Sequence, residues 1–358
     1  MSYPLLKINI EAVRSNLESI VSRCAARGLS VWSVTKGFSC APELVRVISE
    51  TDIAAIADSR MENLISLKRE GIGKPLALIR IPMLSELEKV VEYADYSVVS
   101  ETATLRALAD ICDTSGRTHR VIVMVDMGDL REGFWPDEAE QLADCIPKLS
   151  PALRVDGIGV NYACASGVKP TKESHRRFVS FGRELERLAG IKLNIISGGS
   201  TTRSLLELGS DFLAEGINNL RIGEGYLLGT DSGADDPVIP WLRQDTFTIE
   251  AEVVEVRVKP SQPLGEIGID AFGNVPYFED RGRRLRAILA IGKQDIHLEG
   301  LKPLDEGVEI ITASSDHLLV DVEECPRRPQ VGSVLRFRPG YPAMLGASTS
   351  KYVKKEYV

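Results

Sequence analysis

The first two thirds of the chain repeat one pattern of hydrophobic and polar positions. A short β-branched run such as 31–34 precedes a segment such as 41–49, in which apolar residues recur every three or four positions. The first pattern predicts a buried strand and the second an amphipathic helix. Eight such units follow one another along the chain. Their predicted strands are 31–34, 53–57, 76–81, 96–99, 121–127, 155–163, 193–196 and 218–222.

Eight strands that alternate with helices predict a parallel sheet covered by helices, and the number eight favours closure into a (βα)8 barrel. A dinucleotide-binding open sheet is the weaker alternative, because no predicted strand leads into a GxGxxG stretch. Strands without intervening helices then follow at 247–258, 285–291, 308–313, 318–322 and 334–338. We therefore predict an α/β barrel domain at 1–240 and an all-β domain at 241–358, with 5–8 as a candidate strand of the second domain.

Composition narrows the class of protein. The chain has 51 acidic and 43 basic residues and a net charge of −8, which argues against a nucleic-acid partner. Its six cysteines lie far apart and form no CxxC pair, so we expect neither a metal site nor disulfides. It lacks both a signal-peptide pattern and an apolar stretch of about 20 residues. We predict a cytoplasmic protein with no nucleic-acid or membrane partner.

Chemistry in such barrels takes place at the carboxyl ends of the strands, so polar residues at those positions are the candidates for function. Eight such residues share this position, at or just after the end of a predicted strand. Lys36 follows the first predicted strand, Arg131 the fifth, Asn161 ends the sixth, Ser197, Gly199 and Ser200 follow the seventh, and Arg221 and Gly223 lie at the end of the eighth.

Two of these positions suggest particular chemistry. A lysine that closes an apolar strand needs a partner carboxylate or a chemical role, since desolvating an ammonium group is costly. A desolvated Lys36 would have a lowered pKa and attack aldehydes, whereas the alternative is an ordinary surface lysine.

Ser197, Gly199 and Ser200 offer backbone N–H groups and hydroxyls before a predicted helix, as a phosphate requires, and Gly223 follows the next strand. A plain turn with a serine cap is the alternative.

Three sequence stretches carry a family resemblance. They are Val-Thr-Lys-Gly at 34–37, Val-Asp-Met-Gly-Asp-Leu-Arg-Glu-Gly-Phe at 125–134, and Asn-Asn-Leu-Arg-Ile-Gly at 218–223. With them the chain resembles the alanine-racemase-type, fold-type III pyridoxal-phosphate enzymes, and within these the ornithine-racemase-like branch. The resemblance extends over nearly the whole chain.

The resemblance implies roles for individual residues. Lys36 would hold pyridoxal 5'-phosphate as a Schiff base, and Arg131 would reach the cofactor and substrate region. Arg221 would donate to the pyridine nitrogen and keep it unprotonated, which favours racemisation. Tyr341 would contact the phosphate. Asn161 stands where the family has a histidine stacked on the ring, so its position carries over but its role does not.

One departure from the family concerns the second proton carrier. Racemisation through a planar carbanion needs a proton carrier on each face, and the tyrosine that serves alanine racemase is missing from 265–273. Asp270 is the first candidate, provided that burial or a neighbouring carboxylate raises its pKa. Weaker candidates are His317, Asp316, Cys164 and Tyr277.

We therefore predict a pyridoxal-phosphate-dependent amino-acid racemase, a homodimer with active sites shared between subunits. The favoured substrate is a basic amino acid such as ornithine or lysine, although broad specificity stays open. The expected substrate-binding residues are Arg131, Ser315, Asp316 and His317. Carboxylates that could pair with a substrate ammonium are Asp58, Glu224, Asp295 and Asp316. The alternatives are an amino-acid decarboxylase of the same fold type and a non-catalytic protein that carries pyridoxal phosphate.

Overall fold

The structure, a computed structural model, describes residues 2–231, 233–234 and 237–358. It divides into two compact units: Glu11–Gln244, here the barrel unit, and the first ten residues together with Asp245–Val358, here the β unit. The first strand, β1 (Leu5–Ile8), pairs within the β unit, as the sequence suggested. None of the described helices is long and apolar enough to span a membrane.

The barrel unit contains a closed barrel of eight strands, each parallel to the next. They are β2 (Ser30–Val34), β3 (Ala55–Asp58), β4 (Leu76–Leu78), β5 (Tyr96–Val99), β6 (His119–Val125), β7 (Leu153–Val160), β8 (Ile195–Ser197) and β9 (Asn219–Ile222). The first and last of these strands close the barrel, with Trp32 in register with Arg221. The predicted (βα)8 barrel is confirmed, and every predicted barrel strand has its counterpart.

Helices follow most of the barrel strands, and apolar side chains line their inner faces. They are α1 (Ile10–Ala25), α2 (Pro42–Ser49), α3 (Met61–Arg69), α4 (Leu87–Tyr93), α5 (Thr102–Ser115), α6 (Ala139–Cys145), α7 (Lys172–Ala189) and α8 (Glu224–Leu228). In α1 the buried residues Val13, Leu17, Ile20 and Cys24 have the three-and-four spacing of an amphipathic helix. Short 3-10 turns at Lys36–Phe38, Leu84–Glu86 and Ile146–Lys148 complete the set.

The prediction of a helix around 204–208 is wrong. Residues 201–211 form a series of turns instead. Arg203 has a φ of 54°, in the left-handed region that a right-handed helix cannot include. Its backbone N–H donates to the carboxylate of Asp231, not to a carbonyl of a preceding turn. The segment after β8 is therefore held by a side chain from later in the chain, which local periodicity does not reveal.

Side chains fill the inside of the barrel, so it is a packed core and not a pore. The rings of Trp32 and Tyr96 lie 5.1 Å apart between their centroids, with small alanines on the neighbouring strands. The interior cluster comprises Trp32, Val34, Ala55, Ala57, Ala77, Tyr96, Val98, Ile122 and Met124. Any ligand must therefore bind at the rim, where the strands end.

The β unit is built around a long antiparallel sheet. Its remaining elements are β10 (Phe247–Pro260), β11 (Arg283–Leu289), β12 (Lys302–Pro303), β13 (Glu309–Ala313), β14 (Leu318–Asp321), β15 (Val334–Arg338), α9 (Tyr341–Thr349) and β16 (Lys354–Tyr357). The order along the sheet is β12-β15-β10-β11-β14-β13, and β1 adds to it between β10 and β16.

The helix α9 corrects the expectation of an all-β second domain. The segment is apolar on nearly every side and begins with Tyr-Pro, so it lacks the one-sided pattern that reveals a surface helix. Its proline lies in the first turn, where a missing N–H costs nothing. Ala343, Met344 and Ala347 are buried, so packing within the β unit stabilises this helix.

A substitution in β7 tests the close packing of the barrel wall. A Cβ at Gly157 would lie 2.2 Å from the carbonyl oxygen of Ile195 on the neighbouring strand β8, where the backbone has little freedom to move. We expect Gly157→Ala to lower the free energy of unfolding by about 1–3 kcal/mol, as overpacking does in other cores. Urea denaturation followed by tryptophan fluorescence measures this loss.

Gly73→Ala is the matched control, because a Cβ there would meet no atom within 4 Å and the residue has no left-handed φ. Equal stability of the two variants would contradict the close approach of β7 and β8.

Candidate active site

Lys36 lies directly after β2, at the start of a 3-10 turn. The residue before it is fixed: the hydroxyl of Thr35 donates to Asp58 Oδ2 at 2.5 Å. The other oxygen of Asp58 accepts from the backbone N–H of Arg60 and from Asn63 Nδ2, each at 2.9 Å. Asp58 is fully buried. Its carboxylate therefore holds the end of β2 in place and is not available to a substrate ammonium, which corrects one expectation from the sequence.

The electrostatics around Lys36 favour a neutral amine. Desolvation by the surrounding protein lowers the pKa of Lys36, and the positive charge of Arg131 lowers it further, against the opposing effects of Cys164 and Asp58. The side chain is nevertheless exposed in the single chain. Lys36 is thus accessible from the barrel mouth and has a lowered pKa, as a nucleophile for an aldehyde requires.

Arg221 is a buried guanidinium at the end of β9, only 5% exposed. Its Nη1 donates to the hydroxyl of Ser197, and its Nη2 donates to the carbonyl of Val160 at 2.7 Å and to Asn161 Oδ1 at 2.8 Å. All three acceptors are neutral. Burial lowers the pKa of Arg221 to about 10, which still leaves it protonated near neutral pH. Such a cation can donate to a neutral acceptor of a ligand, such as a ring nitrogen, without losing its proton.

A chain of hydrogen bonds links Arg221 to Arg131. Asn161 Nδ2 donates to Glu132 Oε1 at 2.8 Å, and both Nε and Nη2 of Arg131 donate to the carboxylate of Glu132. The structure thus brings together three strand-end residues predicted from the sequence, Arg131, Asn161 and Arg221, in one chain of hydrogen bonds that passes through Glu132. The fourth, Lys36, is close enough for the charge of Arg131 to lower its pKa. Glu132 was missed, although it stands next to Arg131 in the quoted stretch 125–134.

Two buried aspartates shape the loops that carry these residues. Asp126 accepts from the backbone N–H groups of Gly128 (2.8 Å), Leu130 (3.2 Å) and Arg131 (3.0 Å). Asp129 accepts from the backbone N–H groups of residues 164–166 at 3.2–3.3 Å and from the hydroxyl of Ser166 at 3.0 Å. Asp129 therefore ties the loop after β7, including Cys164, to the loop after β6.

The segments proposed to bind a phosphate lie after β8 and β9. Gly199 has a φ of +121°, which favours glycine, and its carbonyl accepts from the N–H of Arg221 at 2.9 Å. Thr201, another residue that sequence reasoning missed, accepts from the N–H of Gly225 at 3.2 Å and so joins this turn to the one that begins at Gly223. Ser200 Oγ lies 3.4 Å from Thr202 Oγ1. No long helix begins after Ser200, so the expected helix N-terminus is absent from that turn.

Ser197 has a role in the barrel wall. Its hydroxyl donates to Asn219 Oδ1 at 2.6 Å and accepts from Arg221, and the residue is buried. Both functions of the hydroxyl are therefore used in positioning Arg221. This arrangement does not support direct contact between Ser197 and a phosphate.

Five predicted site residues lie in the β unit and not in the barrel: Asp270, Ser315, Asp316, His317 and Tyr341. Ser315, Asp316 and His317 share one exposed turn, in which the hydroxyl of Ser315 donates to Asp316 Oδ2 at 2.7 Å. Gln294 Nε2 donates to the other oxygen of Asp316 at 2.5 Å. Tyr341 is the first residue of α9.

The condition set for Asp270 is not met in the chain as described. Its Oδ1 accepts from the backbone N–H groups of Asn274 at 2.8 Å and Phe272 at 2.9 Å, so the carboxylate caps a turn. These bonds, with that of Asn274 the stronger, lower the pKa of Asp270. Desolvation opposes this effect, but it does not outweigh the turn bonds, so the net shift of the pKa is downward. Asp270 is therefore a carboxylate near neutral pH, suited to accept a proton.

A closed (βα)8 barrel with ionisable side chains gathered at its strand ends, joined to a β unit, defines a barrel enzyme of two-unit architecture. Residues 8–229 match the family described as alanine racemase, N-terminal domain. The chain belongs to this family, which confirms the resemblance stated above.

Two relatives match along the whole chain. An ornithine racemase from Acetoanaerobium sticklandii is 42% identical over 356 residues, 99% of each chain. A lysine racemase from Thermotoga maritima is 40% identical over 358 residues, 100% of this chain and 99% of the relative. The predicted enzyme class, a racemase, is confirmed by these relatives and is favoured over the decarboxylase and carrier alternatives.

Solved structures confirm the fold. Alanine racemase from Streptomyces lavendulae has a TM-score of 0.75 at 16% identity, with 100% of this chain and 98% of that chain covered. Alanine racemase from Bartonella henselae, described with covalently bound pyridoxal phosphate, has a TM-score of 0.75 at 17% identity, with both chains covered completely. The barrel followed by a β unit is thus a shared architecture.

Removing the carboxylate of Asp129 tests how the site loops are held. In Asp129→Ala the four donors from residues 164–166 lose their acceptor, so we expect this loop to open more often. Hydrogen exchange of residues 163–168 should accelerate by about tenfold or more, given the cost of unpaired donors. Mass spectrometry of peptides from this region measures the change, and alkylation of Cys164 should accelerate with it.

The exposed Asp137→Asn serves as the control in a neighbouring position. Unchanged exchange in Asp129→Ala would mean that other contacts hold the loop after β7.

Proposed function

We propose that the protein is a pyridoxal-phosphate-dependent racemase that interconverts the L and D forms of a basic amino acid, with ornithine and lysine as the favoured substrates. The observation that carries this proposal is the pairing of a lysine of lowered pKa with a buried, protonated arginine at the mouth of one barrel. Lys36 and Arg221 lie at the ends of β2 and β9, the two strands that close the barrel. The ornithine and lysine racemases that match the whole chain support the substrate class.

The donor set fits pyridoxal phosphate. Lys36 offers an amine with a lowered pKa for the aldehyde, and Arg221 offers an N–H donor for the ring nitrogen. Gly199, Ser200 and Gly223 offer unhindered backbone and a hydroxyl for the phosphate, with Tyr341 added from the family resemblance. When bound, the cofactor supplies an electron sink that lowers the barrier to removal of the α-proton.

The residues of the chain determine which reaction follows. Lys36 Nζ accepts or returns a proton on one face of the α-carbon, because desolvation lowers its pKa and so favours the neutral amine. Arg221 donates a hydrogen bond but keeps its proton, since a pKa of about 10 lies above neutrality. A ring nitrogen that is not protonated stabilises a carbanion only moderately, and this favours prompt return of the proton.

The substrate's α-carboxylate and side chain need different partners. Arg131 is the proposed partner of the carboxylate, as a cation at the mouth of the barrel. For the side-chain ammonium, Asp295 is unsuitable because it is buried and accepts from Ser350 Oγ at 2.7 Å. Asp316 is exposed, and it stands beside Ser315 and His317. We therefore propose that the turn formed by these three residues recognises the substrate ammonium.

The β unit carries an exposed apolar loop that favours a homodimer. Residues 262–269 are all exposed and include Leu264 at 92% exposure, and Tyr277 in the following segment is 89% exposed. Exposed apolar side chains grouped in one part of a surface are typical of a protein interface. We propose that this loop contacts a second copy and places Asp270 at that copy's active site as the second proton carrier.

The redox state of the cysteines bears on the cellular compartment in which the enzyme acts. All six are free, and four of them are buried. Free thiols in this number are usual for proteins kept in reducing surroundings. We therefore propose that the enzyme acts in the cytoplasm.

The substrate class is tested by isotope exchange. In deuterated water we expect L-ornithine and L-lysine to acquire deuterium at the α-carbon and form the D enantiomer, with the carboxyl group retained. Their kcat/KM should exceed that of L-alanine by at least about tenfold, the effect of one well-placed ion pair in a partly desolvated site. Proton NMR and chiral chromatography measure the two events.

Lys36→Ala is the control, and it should neither take up the cofactor covalently nor exchange the α-proton. Release of labelled carbon dioxide would point to the decarboxylase instead. Equal rates for alanine and ornithine would refute the basic substrate class.

A mixing experiment tests Asp270 and the shared site together. We expect Asp270→Asn, which keeps an acceptor for the turn but cannot accept a proton, to be inactive while it still takes up the cofactor. Mixed dimers with Lys36→Ala chains should regain activity, because one of their two sites then contains both native residues. Random mixing predicts about a quarter of the wild-type activity.

No recovery on mixing, with dimers verified by light scattering, would contradict a shared site. Full activity of Asp270→Asn alone would show that another group carries the second proton.

A further inference from the structure

Glu132 occupies the junction of the hydrogen-bond chain at the barrel mouth. One of its oxygens accepts from Asn161 Nδ2 at 2.8 Å, and the carboxylate as a whole accepts from two nitrogens of Arg131. Its side chain is 18% exposed, so water competes only weakly for these bonds. Among the described residues, no other carboxylate accepts a hydrogen bond from the side chain of Asn161 or Arg131.

The bonds to Glu132 and Arg221 together fix which way the Asn161 amide points. An amide has one end that only donates and one end that only accepts. Because Nδ2 donates to the carboxylate, Oδ1 faces Arg221 and accepts from its Nη2 at 2.8 Å. Without a carboxylate at position 132 Nδ2 loses its acceptor, and only the bond from Arg221 holds the amide in place. Glu132 thus anchors the far end of the chain of bonds, and its loss loosens Asn161.

We infer that Glu132 is a positioning residue of the proposed racemase: it orients Arg131 directly and Arg221 through Asn161, so that both cations meet the cofactor and substrate in a fixed geometry. The inference rests on the proposed function, and it adds a residue that the family resemblance did not assign. It also gives Asn161 a definite role, as the link between the two arginines.

The charge of Glu132 acts on the same groups. The ionisable groups that influence Lys36 are Arg131, Glu132, Cys164 and Asp58, and those that influence Arg221 are Cys164, Glu132 and Arg131. Among these, Glu132 is the carboxylate common to both sets, and its negative charge raises the pKa of each cation. Neutralising it should therefore lower the pKa of Lys36 further, in addition to releasing Asn161.

The test compares Glu132→Gln, Glu132→Asp and Glu140→Gln with the wild-type holoenzyme. Glu140 is exposed on α6, so its substitution makes the same change of charge outside the chain of bonds. We measure kcat and KM for L-ornithine, the affinity of the apoprotein for pyridoxal phosphate, and the pH at which the absorption of the bound cofactor changes. The melting temperature of each variant reports on folding.

We expect Glu132→Gln to lower kcat/KM by about 10- to 100-fold, mostly through kcat, since a hydrogen bond to a charged group is lost at each arginine. Cofactor affinity should fall as well, and the pH midpoint of the absorption should move toward acid. Glu132→Asp keeps the charge and should regain the wild-type midpoint and part of kcat. Glu140→Gln should match the wild type in every measurement.

A second variant makes the result independent of how well Glu132→Gln folds. Asn161→Ala breaks the next link of the chain and should reproduce the loss of kcat. Combining Asn161→Ala with Glu132→Gln should cost little more than the larger single change, because both interrupt one connection.

The assignment is overturned if Glu132→Gln keeps the wild-type kcat and pH midpoint, or if the two variants have fully additive effects. A lower melting temperature with an unmoved midpoint would also overturn it, since that is the result for a purely structural residue. Failure of the proposed function itself is distinguishable, because the wild-type chain would then fail to take up the cofactor or to racemise ornithine.

Discussion

The pairing of β2 with β9 is the constraint on which the candidate site depends. These strands are the first and last of the barrel, and their parallel register aligns Trp32 with Arg221. Closure therefore brings a lysine from near the start of the chain and an arginine from beyond residue 220 to the same mouth. The tight packing inside the barrel, with Trp32 against Tyr96, keeps that register fixed and leaves only the rim for a ligand.

Gathering cations at one rim has an electrostatic cost, and the structure offsets it in two ways. Arg221 is buried against neutral oxygens from Ser197, Val160 and Asn161, which satisfy its hydrogen bonds without neutralising its charge. Among the described residues, the carboxylate that acts on Arg221 is Glu132, which is linked to it through Asn161 rather than by contact. A directly bonded carboxylate would have bound the guanidinium more tightly, but it would also have competed with any ligand for its N–H groups.

Much of the barrel could be predicted from the sequence, because hydrophobic periodicity reports local burial. The same reasoning placed Lys36, Arg131, Asn161 and Arg221 at strand ends, and parallel strands meet at one edge. It could not supply Glu132 or Asp129, whose bonds depend on loops far apart in sequence. It was wrong at 204–208, where Asp231 captures the N–H of Arg203, and it set a condition on the pKa of Asp270 that local turn bonds reverse. Glu132, Asp129 and Arg203 take part in hydrogen bonds between segments far apart in sequence, and the bonds of Asp270 depend on the turn that its own loop adopts. Hydrophobic periodicity encodes neither.

The carboxylates of the barrel rim bear on how a cationic substrate would be recognised. Asp58, Asp126 and Asp129 all accept bonds from backbone or neighbouring side chains, and Glu132 is held by Arg131 and Asn161. Arg131 and Arg221 lie at the same mouth, and their charges attract an α-carboxylate and repel a side-chain ammonium. The proposed selectivity for ornithine or lysine therefore needs a carboxylate that these bonds do not engage. The exposed Asp316 of the β unit has the charge and accessibility that this proposed role needs, and Asp270 of the same unit is the proposed second proton carrier.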